Sequence, residues 1–162
     1  MLSRIFPKQI DNTYGGHGLA IWLFVPILFV KMVMGANTMI NTRDVIQGAD
    51  QIPLDSYGAA ASAIIVACFK SWGLGLFLMA SLGLLALVRY RAMVPLMYLV
   101  LTLENGGRRA LQFGNPFHIT TSSGKPSIGT MINLALMAAL LIGFALSLWW
   151  KNKADEERER SV

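Results

Sequence analysis

Four apolar stretches, each about as long as a bilayer is thick, constrain this chain more than any other feature. They run over residues 18–36, 59–88, 92–113 and 128–150. A helix crossing the hydrocarbon core needs about 20 apolar residues, and in lipid only helices and closed barrels satisfy their own backbone. The first and fourth stretches meet that length directly. The second is longer, which predicts tilt or a helical extension beyond the bilayer. Composition agrees: 54% of the 162 residues are hydrophobic and 14% are charged, where a soluble domain carries roughly 25% charged residues. The expected fold class is all-α: one integral membrane domain over 1–162, an antiparallel four-helix bundle, with a charged tail at 151–162. The mostly polar opening precedes an apolar run longer than that of a signal peptide, so the first span is expected to be retained.

Lysine and arginine set the orientation, because cytoplasmic loops of membrane proteins are enriched in both. Arg4, Lys8, Arg89, Arg91, Lys151, Lys153, Arg158 and Arg160 fall on one side. On the other side, residues 37–58 carry Arg43 against Asp44, Asp50 and Asp55, and residues 114–127 carry Lys125. Both termini are therefore expected in the cytoplasm, with an ordered outer loop at 37–58. Trp149 and Trp150, followed by Lys151, suit a cytoplasmic interface, and Trp72 near Lys70 suits the opposite one. The net charge of +5 lies mostly at these borders. It points to anionic lipid as the partner and away from nucleic acid.

Charged groups inside spans are rare and are paired, at an interface, or functional. A rise of about 1.5 Å per residue, counted from the cytoplasmic border, puts Lys31 roughly 21 Å up, Glu104 roughly 20 Å and Lys70 roughly 28 Å. Arg108 and Arg109 stand one turn above Glu104, and Asn133 lies near the outer start of the fourth span. Every span thus sends a polar group to the outer half, and Lys31, Lys70, Glu104, Arg108, Arg109 and Asn133 form a candidate ligand-binding layer. Plainer roles compete. Lys31 and Lys70 can snorkel to the headgroups, Glu104 and Arg108 can neutralise each other at i, i+4, and Asn133 can serve as an interhelical hydrogen bond.

Two further features concern helix geometry. Gly106-Gly107 either ends the third helix at Asn105, too short to cross, or lies inside a continuous, kinked helix; the second is the expectation. Ala135, Ala139, Gly143 and Ser147 place a small residue at every fourth position of the last span. Such a stripe lets another backbone approach closely, from the same chain or from a neighbour, and leaves Leu140 and Leu146 for the lipid side.

The chemistry of catalysis is thinly supplied. His17 and His118 stand at opposite faces, so they cannot be two axial ligands of one haem. No Ser-His-Asp set meets at one depth, and the lone Cys68 excludes an internal disulfide or a cysteine-rich metal site. The tract TTSSGKPS at 120–127 lacks the glycine spacing of a phosphate loop and reads as a turn. No catalytic residue, metal or cofactor is expected.

The segments FPKQIDNTYGGHGLAIWLF and LVRYRAMVPLMYLVLTLENGGRRAL resemble stretches of small four-helix inner-membrane proteins of bacteria. The order of spans is similar to the DoxX-like architecture. The resemblance implies a multi-pass protein of the bacterial inner membrane. The glycine and arginine signatures of DoxX proteins and the paired cysteines of quinone-linked thiol oxidoreductases are absent, so no functional residues carry over. Two functions stand open. The first is a non-enzymatic accessory protein that binds a lipid, a quinone or a partner membrane complex through the outer polar layer. The second is a small transporter, working as a homo-oligomer, or a membrane enzyme subunit, with an anion or proton site at Lys31, Glu104 and Arg108.

Overall fold

The computed structural model describes residues 5–7, 9–114 and 128–149. Expectations for Arg4, Lys8, His118, Lys125, the turn at 120–127, Trp150 and the tail at 151–162 fall outside them. Among the described residues all regular structure is helical and there is no strand. Four long helices follow the four apolar stretches: α1 (Gly18–Ile40), α2 (Ala59–Arg89), α3 (Val94–Gly114) and α4 (Ile128–Leu148). Their 23, 31, 21 and 21 residues give lengths of about 35, 46, 32 and 32 Å.

Three of the four, α1, α2 and α4, are long and apolar enough to cross a membrane. Only 33, 28 and 22% of their most apolar windows are buried. Most of that apolar surface therefore faces outward, which is costly in water and natural in lipid. α3 has the length but not the apolarity, because Glu104, Asn105, Arg108 and Arg109 interrupt it. It is nonetheless one unbroken helix through Gly106-Gly107.

Packing follows small residues. α1 and α2 run antiparallel with their backbones in contact. A Cβ on Gly35 would lie 2.7 Å from the Phe77 nitrogen and 2.9 Å from the Gly73 carbonyl, so only glycine allows this approach. Further along, Leu28 fills the space beside Gly83. α4 runs antiparallel to α3, with Gly143 beneath the Tyr98 ring and Thr130 beside Arg109. It also packs on α1.

The small-residue stripe of α4 divides in two. Gly143 and Ser147 are buried against this chain's own Tyr98 and Gly16, whereas Ala135 is exposed and Ala139 half-buried. Leu140 is fully buried in the core, contrary to its expected lipid-facing place, and Leu146 is half-buried against the same core. The reason is geometric: Leu140 lies one helical turn from Gly143 and shares the face that meets Tyr98.

α1 begins at His17, whose Nδ1 accepts the Leu19 N–H at 3.2 Å as an N-cap. Pro26 within α1 leaves the Trp22 carbonyl without its usual donor. Beyond Asn41 the chain makes a helical turn (Thr42–Asp44), a π-helical turn (Val45–Ala49) and a 3₁₀ turn (Leu54–Ser56) before α2. This connection is anchored: Ile46 and Leu54 are buried, and Ser62 donates to the Leu54 carbonyl at 2.8 Å.

Candidate functional site

α1 and α3 are joined by long side chains at two levels. Near the start of both helices Tyr98 stacks on Phe24, with centroids 4.6 Å apart, and donates to the Ala20 carbonyl at 2.7 Å. About two turns further on, Lys31 of α1 meets Glu104 of α3, with Nζ to Oε2 at 2.6 Å. Lys31 is only 2% exposed, so it does not snorkel; its charge is held inside and paired. Glu104 is shared, because Arg108 Nε stands 3.3 Å from its other oxygen. The expected i, i+4 pair is thus present, but it is the looser half of a three-residue ion pair.

Arg108 is the hub of the cluster. Its Nη2 donates to Asn105 Oδ1 and to Asn133 Oδ1 of α4, each at 3.4 Å. Its guanidinium lies 4.7 Å from the centroid of the Trp72 ring of α2, a cation–π contact. Asn133 is fixed in turn by donating to the Gly129 carbonyl at 2.8 Å. Arg109, beside the hub, donates to the Thr130 carbonyl at 3.0 Å. Groups from α2, α3 and α4 therefore converge on one guanidinium, and Lys31 of α1 joins them through the shared Glu104.

The connection between α1 and α2 reaches the start of α4 beside this cluster. A Cβ on Gly129 would lie 2.9 Å from Asp50 Oδ1 and 3.1 Å from the Ala49 carbonyl, so the start of α4 and the Asp50 side chain are in contact. Burial holds the Asp50 carboxyl above the usual carboxylate range, and the charges of Arg108 and Arg109 act against that rise. Directly after Asp50 the chain turns through Gln51 at φ 59°, a left-handed conformation uncommon for a residue with a side chain.

Of the residues read from sequence, Lys31, Glu104, Arg108 and Asn133 are brought together, with Arg109 alongside. Lys70 is exposed on α2. Its neighbour at i+2 reaches the cluster instead, since two residues along a helix turn the side chain by roughly 200°. Asn105, Trp72 and Asp50 were missed as members. Asn105 had a readable sign, being three residues before Arg108 and on the same face. Trp72 beside Lys70 reads from sequence as an interface anchor, and nothing local connects Asp50 to α4.

The donor supply of the cluster exceeds its acceptors. Asn105 is 1% exposed, and its Nδ2 has no hydrogen-bond partner among the described residues; the same holds for the buried Trp72 Nε1. Buried donors left unpaired are expensive, and such groups are rare in folded proteins. Among the described residues no three His, Cys, Asp or Glu side chains gather as a metal-binding set. His17 caps the far end of α1 and Cys68 is exposed on α2. A guanidinium with unpaired donors beside it is suited to holding an acceptor or an anion.

No described protein family, curated protein or solved structure matches this chain. The functional reading therefore rests on the cluster. What fold and composition establish is the class: an all-α chain with three helices able to span a membrane.

Proposed function

We propose that this is a non-enzymatic, multi-pass protein of a bacterial inner membrane, and that its polar cluster binds a lipid, a quinone or a partner membrane complex. In this reading α3 is the fourth crossing of an antiparallel bundle, both termini are cytoplasmic, and the cluster lies in the outer half of the membrane. The antiparallel pairing of α3 with α4 supports the crossing, since it carries α3 alongside a helix apolar enough to span. The exposed Leu103 and Leu111 give α3 an outward apolar face.

One observation supports the binding role: the donors of Asn105 and Trp72 stand buried and, among the described residues, unanswered beside a guanidinium held from three helices. A purely structural ion pair has no use for additional unpaired donors, because each of them is destabilising. Native mass spectrometry of the protein extracted gently from its membrane tests the reading. A co-purified small molecule or subunit is expected on the wild type and is expected to be lost from Arg108→Gln. A bare chain in both cases counts against it. Topology is tested separately by reporter fusions at Val162 and near Gln51, which should report opposite compartments; the same compartment for both sinks the four-crossing arrangement.

A further inference from the structure

The charges of the cluster do not balance. Lys31, Arg108 and Arg109 face Glu104 and Asp50, an excess of one positive charge even with both acids ionised. Glu104 is already committed to Lys31 and Arg108. Arg109 has one guanidinium donor on the Thr130 carbonyl, and the acid that reaches this end of the cluster is Asp50, whose Oδ1 lies against residue 129, next to Thr130 and one turn from Asn133. Asp50 is not part of the helices that build the cluster. It arrives on the connection at residues 42–56 and touches α4 only because residue 129 has no side chain. The carboxylate is thus a tethered anion set against two arginines. Asn105 and Trp72, both against the Arg108 guanidinium, each keep a buried donor without a partner among the described residues, so the cluster has room for further acceptor oxygens.

We infer that the cluster takes an anionic oxygen headgroup, carboxylate or phosphate, entering beside the connection at residues 42–56, and that Asp50 occupies its place until such a ligand displaces it. This rests on the binding reading above and narrows its ligand. Arginine suits the role, since its planar donor fork matches carboxylate and phosphate in pairs of hydrogen bonds. The partial burial of Asp50 makes displacement favourable: moved out, the carboxylate regains water and the arginines keep an anion. A free phosphate and a phospholipid headgroup offer this same chemistry, and the experiment separates them.

The full chain, with Trp72 kept as its sole tryptophan, is held in a maltoside detergent, which carries no anionic headgroup, stripped of lipid, and titrated with inorganic phosphate. A parallel series adds phosphatidylglycerol to the detergent and omits the phosphate. Emission of Trp72 reports on the guanidinium beside it. Asp50→Asn removes the tethered anion, and Gly129→Ala pushes it aside by occupying the space it needs. Both variants are expected to bind about fivefold tighter or more than wild type, and Arg109→Gln is expected to bind more weakly. A response to phosphate makes the free anion sufficient; a response to phosphatidylglycerol alone makes the lipid headgroup the ligand; either supports the inference. Equal affinity of wild type, Asp50→Asn and Gly129→Ala for the probe that binds overturns it. So does an absence of response to both probes in all variants. If native mass spectrometry still finds a neutral lipid or quinone on the protein, only the anionic class has failed; if it finds nothing, the binding reading has failed as well.

Discussion

The two levels at which α1 and α3 meet are built from the same helices, yet they solve opposite problems. At the lower level Phe24, Tyr98, Leu101 and Leu140 are fully buried, and the single polar group among them, the Tyr98 hydroxyl, is satisfied by the Ala20 carbonyl. At the upper level Lys31 and Asn105 are just as buried, but the Asn105 and Trp72 side-chain donors have no partner among the described residues. A core selected for stability alone has no reason to differ so much over two helical turns. The contrast separates a level whose polar group is satisfied from one with buried donors left over, and the proposed function rests on that difference in polar satisfaction rather than on any motif.

The sharpest way to break the comparison is to remove the shared acid. Glu104→Gln leaves Lys31 buried without a counter-charge, a state that costs about 3–5 kcal/mol. Pairing it with Lys31→Met should restore most of that stability, because Lys31 is the closer and more deeply buried partner. Pairing it with Arg108→Gln should restore less, since the lysine is still stranded. Chemical unfolding in detergent of the two double variants decides the matter. Equal recovery would give the two cations equal weight, and greater recovery with Arg108→Gln would make the in-helix pair, read from the i, i+4 spacing, the dominant one.

The lower level should answer as an ordinary core. Leu140→Ala is expected to cost about 2–5 kcal/mol as a large-to-small core change. Gly143→Leu drives a side chain into the Tyr98 ring and should cost about 1–3 kcal/mol. On the same stripe, Ala135→Leu should stay within about 0.5 kcal/mol, because that position is exposed. Thermal midpoints in one detergent rank the three. A loss at Ala135 matching that at Gly143 would show that the upper stripe is also an interface, one made with another copy or another protein.

How much of this could be read beforehand follows from the range of each interaction. The four helices were legible almost to the residue, because apolar run length is a local property and lipid admits few alternatives. Lys31, Glu104, Arg108 and Asn133 were legible as a layer, since depth along a helix is simple arithmetic. Which of them touch was not. Whether Lys31 pairs inside or reaches for the headgroups depends on the rotation of α1, which a nearly uniform apolar helix does not encode. The same lack of a polar face hid the turn of α2 that presents Trp72 and leaves Lys70 outside. Leu140 was misplaced for a related reason: the small stripe marks where a backbone approaches, but the large Tyr98 filling that groove widens the buried face to include its neighbours. Asp50 was beyond reach, since its contact with residue 129 of α4 spans about half of the chain.

The smallest effect concerns that residue, and it joins the two levels through stability alone. Asp50 lies outside the helices, with its carboxyl held above the usual range by burial and only partly restrained by Arg108 and Arg109. The folded protein therefore keeps this proton to higher pH than the unfolded chain does. Between the ordinary carboxylate range and the raised value the folded state binds more protons, so its stability falls as pH rises through that window. Asp50→Asn has no proton to lose and should flatten this part of the profile. Leu140→Ala should lower the whole profile and leave its slope unchanged, because the lower level has no titrating group in that range. Unfolding midpoints across the weakly acid range, for wild type and both variants, measure the difference. A slope that persists in Asp50→Asn would assign the titration elsewhere and remove the electrostatic support for Asp50 as the group that closes the cluster.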